Sequence, residues 1–199
     1  MTYFVTGATG FIGRYLVQSL LQRGKGTIYV LVRPKSVGKL DELREFWGKE
    51  SVKRVVPIKG DLGSPKLGVS PADVRKLKGK VKHFFHLGAV YDIEASAETM
   101  KKANIVGTQG ALDLAAAVNA GCFHLVSSIA AAGLYRGTFT EDMFEEAEEL
   151  DHPYHSTKHD SEGLVRAHGR IPSRIYRQGA VVGHSKTGFI DKIDGPYYF

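Results

Sequence analysis

The chain has 199 residues, 43% of them hydrophobic and 24% charged, with a formal charge of +6; this is the make-up of one soluble globular domain large enough to bury a sizeable core. The single cysteine, Cys122, excludes an internal disulfide framework and a multi-cysteine metal site. No stretch reaches the roughly eighteen uninterrupted apolar residues of a membrane span, and Met1 runs into Tyr3-Phe4-Val5 without a basic leader, so the chain is read as cytoplasmic.

The first predicted element is a strand over Tyr3–Val5, followed at once by Thr6-Gly7-Ala8-Thr9-Gly10-Phe11-Ile12-Gly13 and a helix over 11–23 closed by Gly24. A glycine-rich turn between a strand and a helix is the context of a phosphate cradle. Gly7 permits the tight turn, Gly10 lets backbone N–H groups approach a pyrophosphate, and Gly13 allows close packing of helix on strand. Thr9, Phe11 and Ile12 complete the loop. The spacing is G-x-x-G-x-x-G, not the G-x-G-x-x-G of the standard dinucleotide fingerprint.

The second strand, Ile28–Val32, ends in Arg33-Pro34-Lys35. An NAD-selective fold usually places a carboxylate here to grip the ribose hydroxyls. Arg33 and Lys35 would instead attract a 2′-phosphate, which favours NADPH over NADH. A helix over 36–47 leads to a third strand, Val55–Ile58, after which Asp61 and Leu62 stand where the adenine edge would lie. Ser70-Pro71 is a cap followed by a first-turn proline, opening a helix over 71–78. Lys76, Lys78, Lys80 and Lys82 alternate with Leu77, Gly79 and Val81 around the following turn, a solvated surface and not a nucleic-acid patch.

The fourth strand spans Val81–Leu87, a long helix 95–119, and the fifth strand Phe123–Val126 after Gly121 and Cys122, the latter read as a packed thiol. Ser128 closes this strand. Glu141, Asp142, Glu145, Glu146, Glu148, Glu149 and Asp151 are read as coating a loop or short helix over the site entrance. Tyr154 and Lys158 then lie one turn apart on a helix over 154–168, so the ammonium can sit beside the phenol and favour its ionised form. In the reductive direction Tyr154 protonates a developing alkoxide, Ser128 hydrogen-bonds the same oxygen, and Lys158 also holds the nicotinamide ribose. His152, His155 and His159 lack a third ligand at suitable spacing and are assigned to cap or surface roles, with no metal expected. A sixth strand covers Arg174–Tyr176.

Strands alternating with helices predict an α/β fold, a doubly wound parallel sheet of about six strands. Residues 1–199 read as one NAD(P)-binding Rossmann domain. The Gly- and aromatic-rich stretch from Gly183 to Phe199 suggests the amino-terminal part of a longer polypeptide.

Taken together these residues resemble an extended short-chain dehydrogenase/reductase over the whole chain. More specifically, Gly7–Gly13, His86-Leu87-Gly88-Ala89-Val90-Tyr91-Asp92, Ser127 to Leu134, Asp151-His152-Pro153-Tyr154 and Lys192 to Phe199 resemble the amino-terminal reductase domain of bacterial bifunctional fatty acyl-CoA reductases. The resemblance implies NADPH, a catalytic set of Ser128, Tyr154 and Lys158, and Asn104 as a residue ordering the neighbourhood of Lys158. It also implies Gly88 and Ala89 beside the cofactor and an acyl-CoA or aldehyde substrate, much of whose binding surface lies beyond residue 199. Gly88 stands where the family commonly has Ala, and Gln178 where it has Pro. A nucleotide-sugar epimerase or dehydratase on the same scaffold is the alternative enzyme; its dehydratases carry acidic residues after the catalytic hydroxyl, where this chain has Ile129-Ala130-Ala131. The remaining alternative is a non-catalytic dinucleotide-binding module. Homo-oligomerisation is left open.

Overall fold

The computed structural model describes residues 1–90 and 95–190. Tyr91, Asp92 and the stretch from Lys192 to Phe199, quoted above for the family resemblance, lie outside the described residues.

The strands are β1 (Tyr3–Thr6), β2 (Ile28–Val32), β3 (Val55–Lys59), β4 (His83–His86), β5 (Cys122–Ser128) and β6 (Ser173–Gln178). They form a 6-stranded sheet in the order β3-β2-β1-β4-β5-β6, parallel throughout. This is the doubly wound topology expected, with its crossover reversal between β1 and β4. Every residue of β1 and β2 is buried, as continuous apolar runs in central parallel strands must be. Pro57 cannot donate to a ladder, and it sits in β3 at the sheet's edge, where such a residue is tolerated.

The helices are α1 (Phe11–Arg23), α2 (Lys39–Trp47), α3 (Glu50–Arg54), α4 (Pro71–Leu77), α5 (Ala97–Met100), α6 (Gly107–Ala117) and α7 (Pro153–His168). One face of the sheet buries Val5, Val30 and Val32 against Val17, Leu20 and Leu21 of α1. The other packs Phe4, Phe84, Phe123 and Leu125 against Leu112 and Leu114 of α6 and Val165 of α7. Arg54 fastens the end of α1, donating to the Leu21 carbonyl at 2.8 Å and the Gly26 carbonyl at 3.1 Å. Among the described residues no helix is long and apolar enough to cross a membrane.

Three local differences from the sequence reading have physical causes. The helix expected over 36–47 begins as a separate 3-10 turn, Pro34–Ser36, because Pro34 fixes a first-turn conformation only three residues before Val37 and Gly38. The helix expected over 95–119 is interrupted by a π-helical turn, Lys101–Val106, which buries Asn104. The acidic segment from Leu134 to His152 contains no helix; it is pinned by an isolated bridge between Gly133 and Glu148. The Ser70 cap forms as expected, its Oγ accepting from the Asp73 N–H at 3.1 Å.

On the α1 side of β4, β5 and β6, His83, Cys122, His124 and Tyr176 share one face. His83 Nδ1 and His124 Nε2 are 3.0 Å apart, and His124 stacks on Phe85 at 4.2 Å. The ligand-type atoms of His83, Cys122 and His124 lie within 4.8 Å of one another, but the Arg174 guanidinium faces the same group and, after burial itself, keeps both imidazoles below their usual basicity. That added positive charge disfavours a cation, and the cluster is a stacked aromatic face. Cys122 is half-buried, with its thiol pushed up by desolvation.

The loop after β1 and the start of α1 approach each other closely. Gly7 has a φ of +70°, and a Cβ on Gly13 would fall on the Gly7 carbonyl and within 2.9 Å of Ala8 Cα. Backbone cannot yield as a side-chain tip can. Gly13→Ala is therefore expected to cost about 1–3 kcal/mol in denaturant unfolding, whereas Gly24→Ala, with nothing within 4 Å of the new methyl, should stay within about 0.5 kcal/mol of the parent.

Candidate functional site

The carboxyl ends of parallel strands are where open α/β sheets hold ligands. Here they bring together the glycine loop after β1, Arg33 after β2, Asp61 after β3, Gly88 and Ala89 after β4 and Ser128 at the end of β5. The loop closes on itself through Gly10 N–H to the Gly7 carbonyl at 3.0 Å. Helix α1 starts at Gly10 with no side-chain cap and no acidic residue in its first turn, so its amide dipoles point at the loop uncompensated by a carboxylate, and this fits a dinucleotide's phosphates. Thr9, Phe11, Ile12 and Gly13 are all in this turn. Arg33 and Lys35 are exposed at the mouth. Asp61 Oδ1 accepts from the Gly63 N–H at 2.9 Å and shapes its own turn.

Leu62 explains the glycine at 88. A Cβ there would lie 2.8 and 2.9 Å from the two Leu62 methyls and 3.1 Å from Thr6 Oγ1. The departure from Ala is thus compensated by a bulky neighbour. Gln178 stays in β6, in register with Ser128.

Lys158 is 8% exposed, in a narrow cleft with His86, Gly88, Ala89, Asn104 and Ser127. Its Nζ lies 3.5 Å from the Val126 carbonyl and 5.9 Å from the centre of the Tyr154 ring. Burial pushes the ammonium down to about 8, opposed by the Glu162 carboxylate one turn further along α7. Ser128 Oγ accepts from the Ala130 N–H at 3.1 Å, capping the 3-10 turn Ile129–Ala132. Its hydroxyl hydrogen therefore remains for another acceptor.

Asn104 holds three segments together. Its Oδ1 accepts from the Val90 N–H at 2.9 Å, and its Nδ2 donates to Thr157 Oγ1 at 3.1 Å. Its backbone carbonyl accepts the Thr108 hydroxyl at 2.6 Å and the Ser161 hydroxyl at 2.9 Å. The sequence placed Asn104 near Lys158 only through the family resemblance. The π-helical turn supplies the geometry, and such turns concentrate at functional sites.

Two groups here were not singled out as site residues. Thr6 Oγ1 accepts the Leu87 and Gly88 N–H groups at 3.2 and 3.0 Å, so its own hydrogen goes to His86 Nδ1 at 2.8 Å. That assigns the His86 hydrogen to Nε2, facing Thr108 Oγ1 at 3.3 Å. Burial, with the Lys158 charge nearby, lowers His86 to about 3, so it is neutral. Glu162 is the second, fully buried. The i+4 spacing from Lys158 was the available signal for it. Of the three histidines, His152 caps α7 through Tyr154 N–H at 3.1 Å, and His159 stacks on Phe144 at 4.1 Å. The His155 ring lies 5.4 Å from that of His152.

A family model described as male sterility protein, of the NAD-binding class, matches residues 5–199. The chain is 35% identical over 205 residues to a component of the linear gramicidin synthase of Brevibacillus parabrevis, covering 96% of this chain and 4% of that protein. It is 28% identical over 231 residues to CG8303 of Drosophila melanogaster, a protein named for fatty acyl-CoA reduction, covering 94% of this chain and 42% of the other. The crystal structure of the terminal R domain of the myxalamid PKS-NRPS pathway superposes with a TM-score of 0.83 at 33% identity, covering 94% of this chain and 51% of that one. The chain thus spans about half of that domain and less of the two curated proteins. On its sequence and its sheet alike, the chain belongs to the NAD-binding male sterility protein family, extended short-chain dehydrogenases/reductases related to fatty acyl-CoA reductases and to the reductase domains of nonribosomal peptide synthetases.

Proposed function

We propose that this chain carries the cofactor-binding and proton-transfer machinery of an NADPH-dependent reductase acting on a fatty aldehyde or a fatty acyl thioester. The observation that carries the reading is the placement of Tyr154 beside a buried Lys158 at the carboxyl edge of the sheet, with Ser128 ending the neighbouring strand and the glycine loop across the cleft. The dinucleotide, when bound, supplies the hydride.

The chain's own residues do the rest. Tyr154 gives its proton to the carbonyl oxygen as negative charge develops there. Ser128, with its oxygen already engaged by the Ala130 N–H, donates its hydrogen to the same oxygen. The Lys158 ammonium stabilises the charge left on the phenol and donates to the nicotinamide ribose. Asn104 fixes the helix turn on which this depends. Arg33 and Lys35 provide positive charge where a 2′-phosphate would lie. Large exposed apolar side chains, Ile129 at 61% and Leu134 at 54%, follow Ser128 in the chain. They suit an acyl chain better than a sugar hydroxyl array, which separates this reading from a nucleotide-sugar epimerase or dehydratase. The protein from Drosophila melanogaster named for fatty acyl-CoA reduction supports the same substrate class.

Tyr154→Phe is expected to reduce aldehyde-dependent NADPH oxidation by a factor of about 10² or more while leaving NADPH affinity unchanged in a fluorescence titration. Unaltered turnover would remove Tyr154 from the mechanism. Arg33→Glu should weaken NADPH by roughly tenfold or more and leave NADH nearly unaffected; parallel titrations at fixed ionic strength measure this, and equal losses would withdraw the NADPH assignment.

Lys158 links function to stability. Its amine is less basic folded than unfolded, so burying the ammonium costs stability in full below pH 8, and the cost fades as pH rises from about 8 towards the ordinary lysine value of 10.5. Lys158→Met is thus expected to raise unfolding free energy at pH 7 by on the order of 3 kcal/mol while weakening cofactor binding. A variant less stable than the parent at pH 7 would contradict the assigned cost.

A further inference from the structure

Glu162 and Arg177 form a contact far more elaborate than a strand–helix fastening needs. Glu162 is fully buried on α7, one turn beyond Lys158. Its Oε1 accepts the Ser127 hydroxyl at 2.7 Å and Arg177 Nε at 3.1 Å, and its Oε2 accepts Arg177 Nη2 at 2.9 Å. Arg177, on β6, has further donors. Nη1 reaches the Thr140 carbonyl at 2.9 Å and Nη2 the Met143 carbonyl at 2.6 Å. The guanidinium also lies over the Phe139 ring, 4.8 Å from its centre. One planar fork therefore holds a buried carboxylate on one side and two loop carbonyls on the other, a geometry a lysine ammonium does not reproduce.

The segment held is the acidic loop from Leu134 to His152. Its ends are tied by Leu134 N–H to the Glu148 carbonyl at 2.8 Å and by the His152 cap on Tyr154. Between them, Phe144 stacks on His159, and Arg166 of α7 lies 4.9 Å from the ring centre and donates Nη2 to the Glu141 carbonyl at 3.4 Å. Arg177 is the bond from the sheet to the middle of this loop, and the loop delivers the first turn of α7.

We infer that Arg177 and Glu162 are a positioning pair, holding the loop 134–152 against the amino-terminal end of α7 and limiting the negative charge that reaches Lys158. The second half follows from what faces Lys158. His86 from β4 is neutral. From β5 come the Val126 carbonyl and Ser127, and from the π-helical turn the Asn104 amide. On α7 itself are Tyr154 and Glu162. Among the described residues Glu162 is thus the anionic group acting on the ammonium, and Arg177 at 2.9 Å, with Arg166 further off at 3.9 Å, offsets it. Burial brings Lys158 to about 8 against the opposing pull of Glu162, and sharing the carboxylate with Arg177 weakens that pull.

The inference rests on the proposed function only in treating Lys158 as a functional group, and its test uses neither cofactor nor substrate. In the purified full-length protein, the pH dependence of thermal unfolding from pH 7 to 10.5 reports where Lys158 begins to lose its proton in the folded state, taken against Lys158→Met, in which that step is absent. Glu162→Gln, near-isosteric and able to keep the Ser127 and Arg177 Nε hydrogen bonds on its one amide oxygen while losing the Arg177 Nη2 bond, removes the neighbouring anion and should move the onset down by roughly one pH unit. Arg177→Gln leaves the anion with only the more distant Arg166, 3.9 Å away, and should move it up by roughly half a pH unit or more. Opposite shifts from the two halves of one ion pair are not produced by a loss of packing. Unchanged onsets, or shifts of the same sign, would overturn the charge role.

The tether is read by a glutamate-specific protease, for which the loop offers Glu141, Glu145, Glu146, Glu148 and Glu149. Arg177→Gln should be cleaved there about tenfold faster than the parent or more, with Arg177→Lys and Glu162→Gln, each keeping part of the fork, intermediate. Equal loop cleavage in parent and Arg177 variants would overturn the tether. Should Arg177→Gln fail to fold, Arg177→Lys and Glu162→Gln still decide both halves. Loss of NADPH binding or turnover in the parent would count against the proposed function alone.

Discussion

The site depends on where Asn104 sits. An asparagine in a helix interior ordinarily competes with the helix, because its amide prefers to bond nearby backbone. Here the competition is used. In the π-helical turn the side chain spans to the Val90 backbone on one side and Thr157 on the other, so the segment leaving β4 and the helix carrying Lys158 are fixed relative to each other by one amide. Its carbonyl collects the hydroxyls of Thr108 and Ser161. Through Thr108 the network continues to His86 and Thr6, and so to the strand that launches the glycine loop. Every member has a partner, which is the condition under which a buried polar network rigidifies a structure and does not weaken it.

This network also settles the electrostatics. A buried imidazole that could take a proton would put a second cation beside Lys158. Thr6 prevents that by committing its hydrogen to His86 Nδ1, and burial holds the ring neutral down to about pH 3. The positive charge in the cleft is then concentrated on one ammonium, whose desolvation cost is carried by the rest of the fold. Proteins that place a charge where chemistry needs it commonly give up stability to do so. The same arrangement explains why the neighbouring carboxylate, Glu162, is tied to an arginine: an uncompensated anion at that distance would push Lys158 back towards its ordinary basicity.

How much of this could be read in the sequence followed from how local the cause was. Period and apolarity placed all six strands, because β1 and β2 are buried end to end and their neighbours are short β-branched or aromatic runs. The glycine loop, the Ser70 cap and the Tyr154–Lys158 spacing were legible because each is set within a turn or two of chain. The π-helical turn was not, since what favours it over continuous helix are partners at Val90, Thr157 and Ser161, far away in sequence. The pairing of Glu162 with Arg177 was hidden for the same reason: Glu162 shows only its i+4 spacing from Lys158, the 15 residues to Arg177 have no helical or strand period, and the arginine was visible only as the residue before Gln178. The short α3 lacked an apolar face long enough to stand out.

A parallel sheet fixes the positions of strand ends to within the register of its ladders, and it fixes them in an order set by crossovers, independent of what the loops contain. In this chain the residues proposed for proton transfer and cofactor binding therefore sit on the rigid frame, at the ends of β1, β2, β4 and β5 and on the first turns of α7. Under the proposed function, whatever this chain contributes to telling one carbonyl substrate from another comes from the parts that the ladder does not dictate, namely the exposed apolar turn after Ser128 and the acidic loop that returns to Tyr154. Such a loop has too few backbone bonds of its own to hold one position, and its many carboxylates repel one another. It can shape a binding surface only if something on the frame restrains it. Arg177 does so from β6, at the edge of the sheet among the described residues, alongside His159 and Arg166 of α7, which is why a residue remote from the reacting groups in sequence is assigned to the same functional unit.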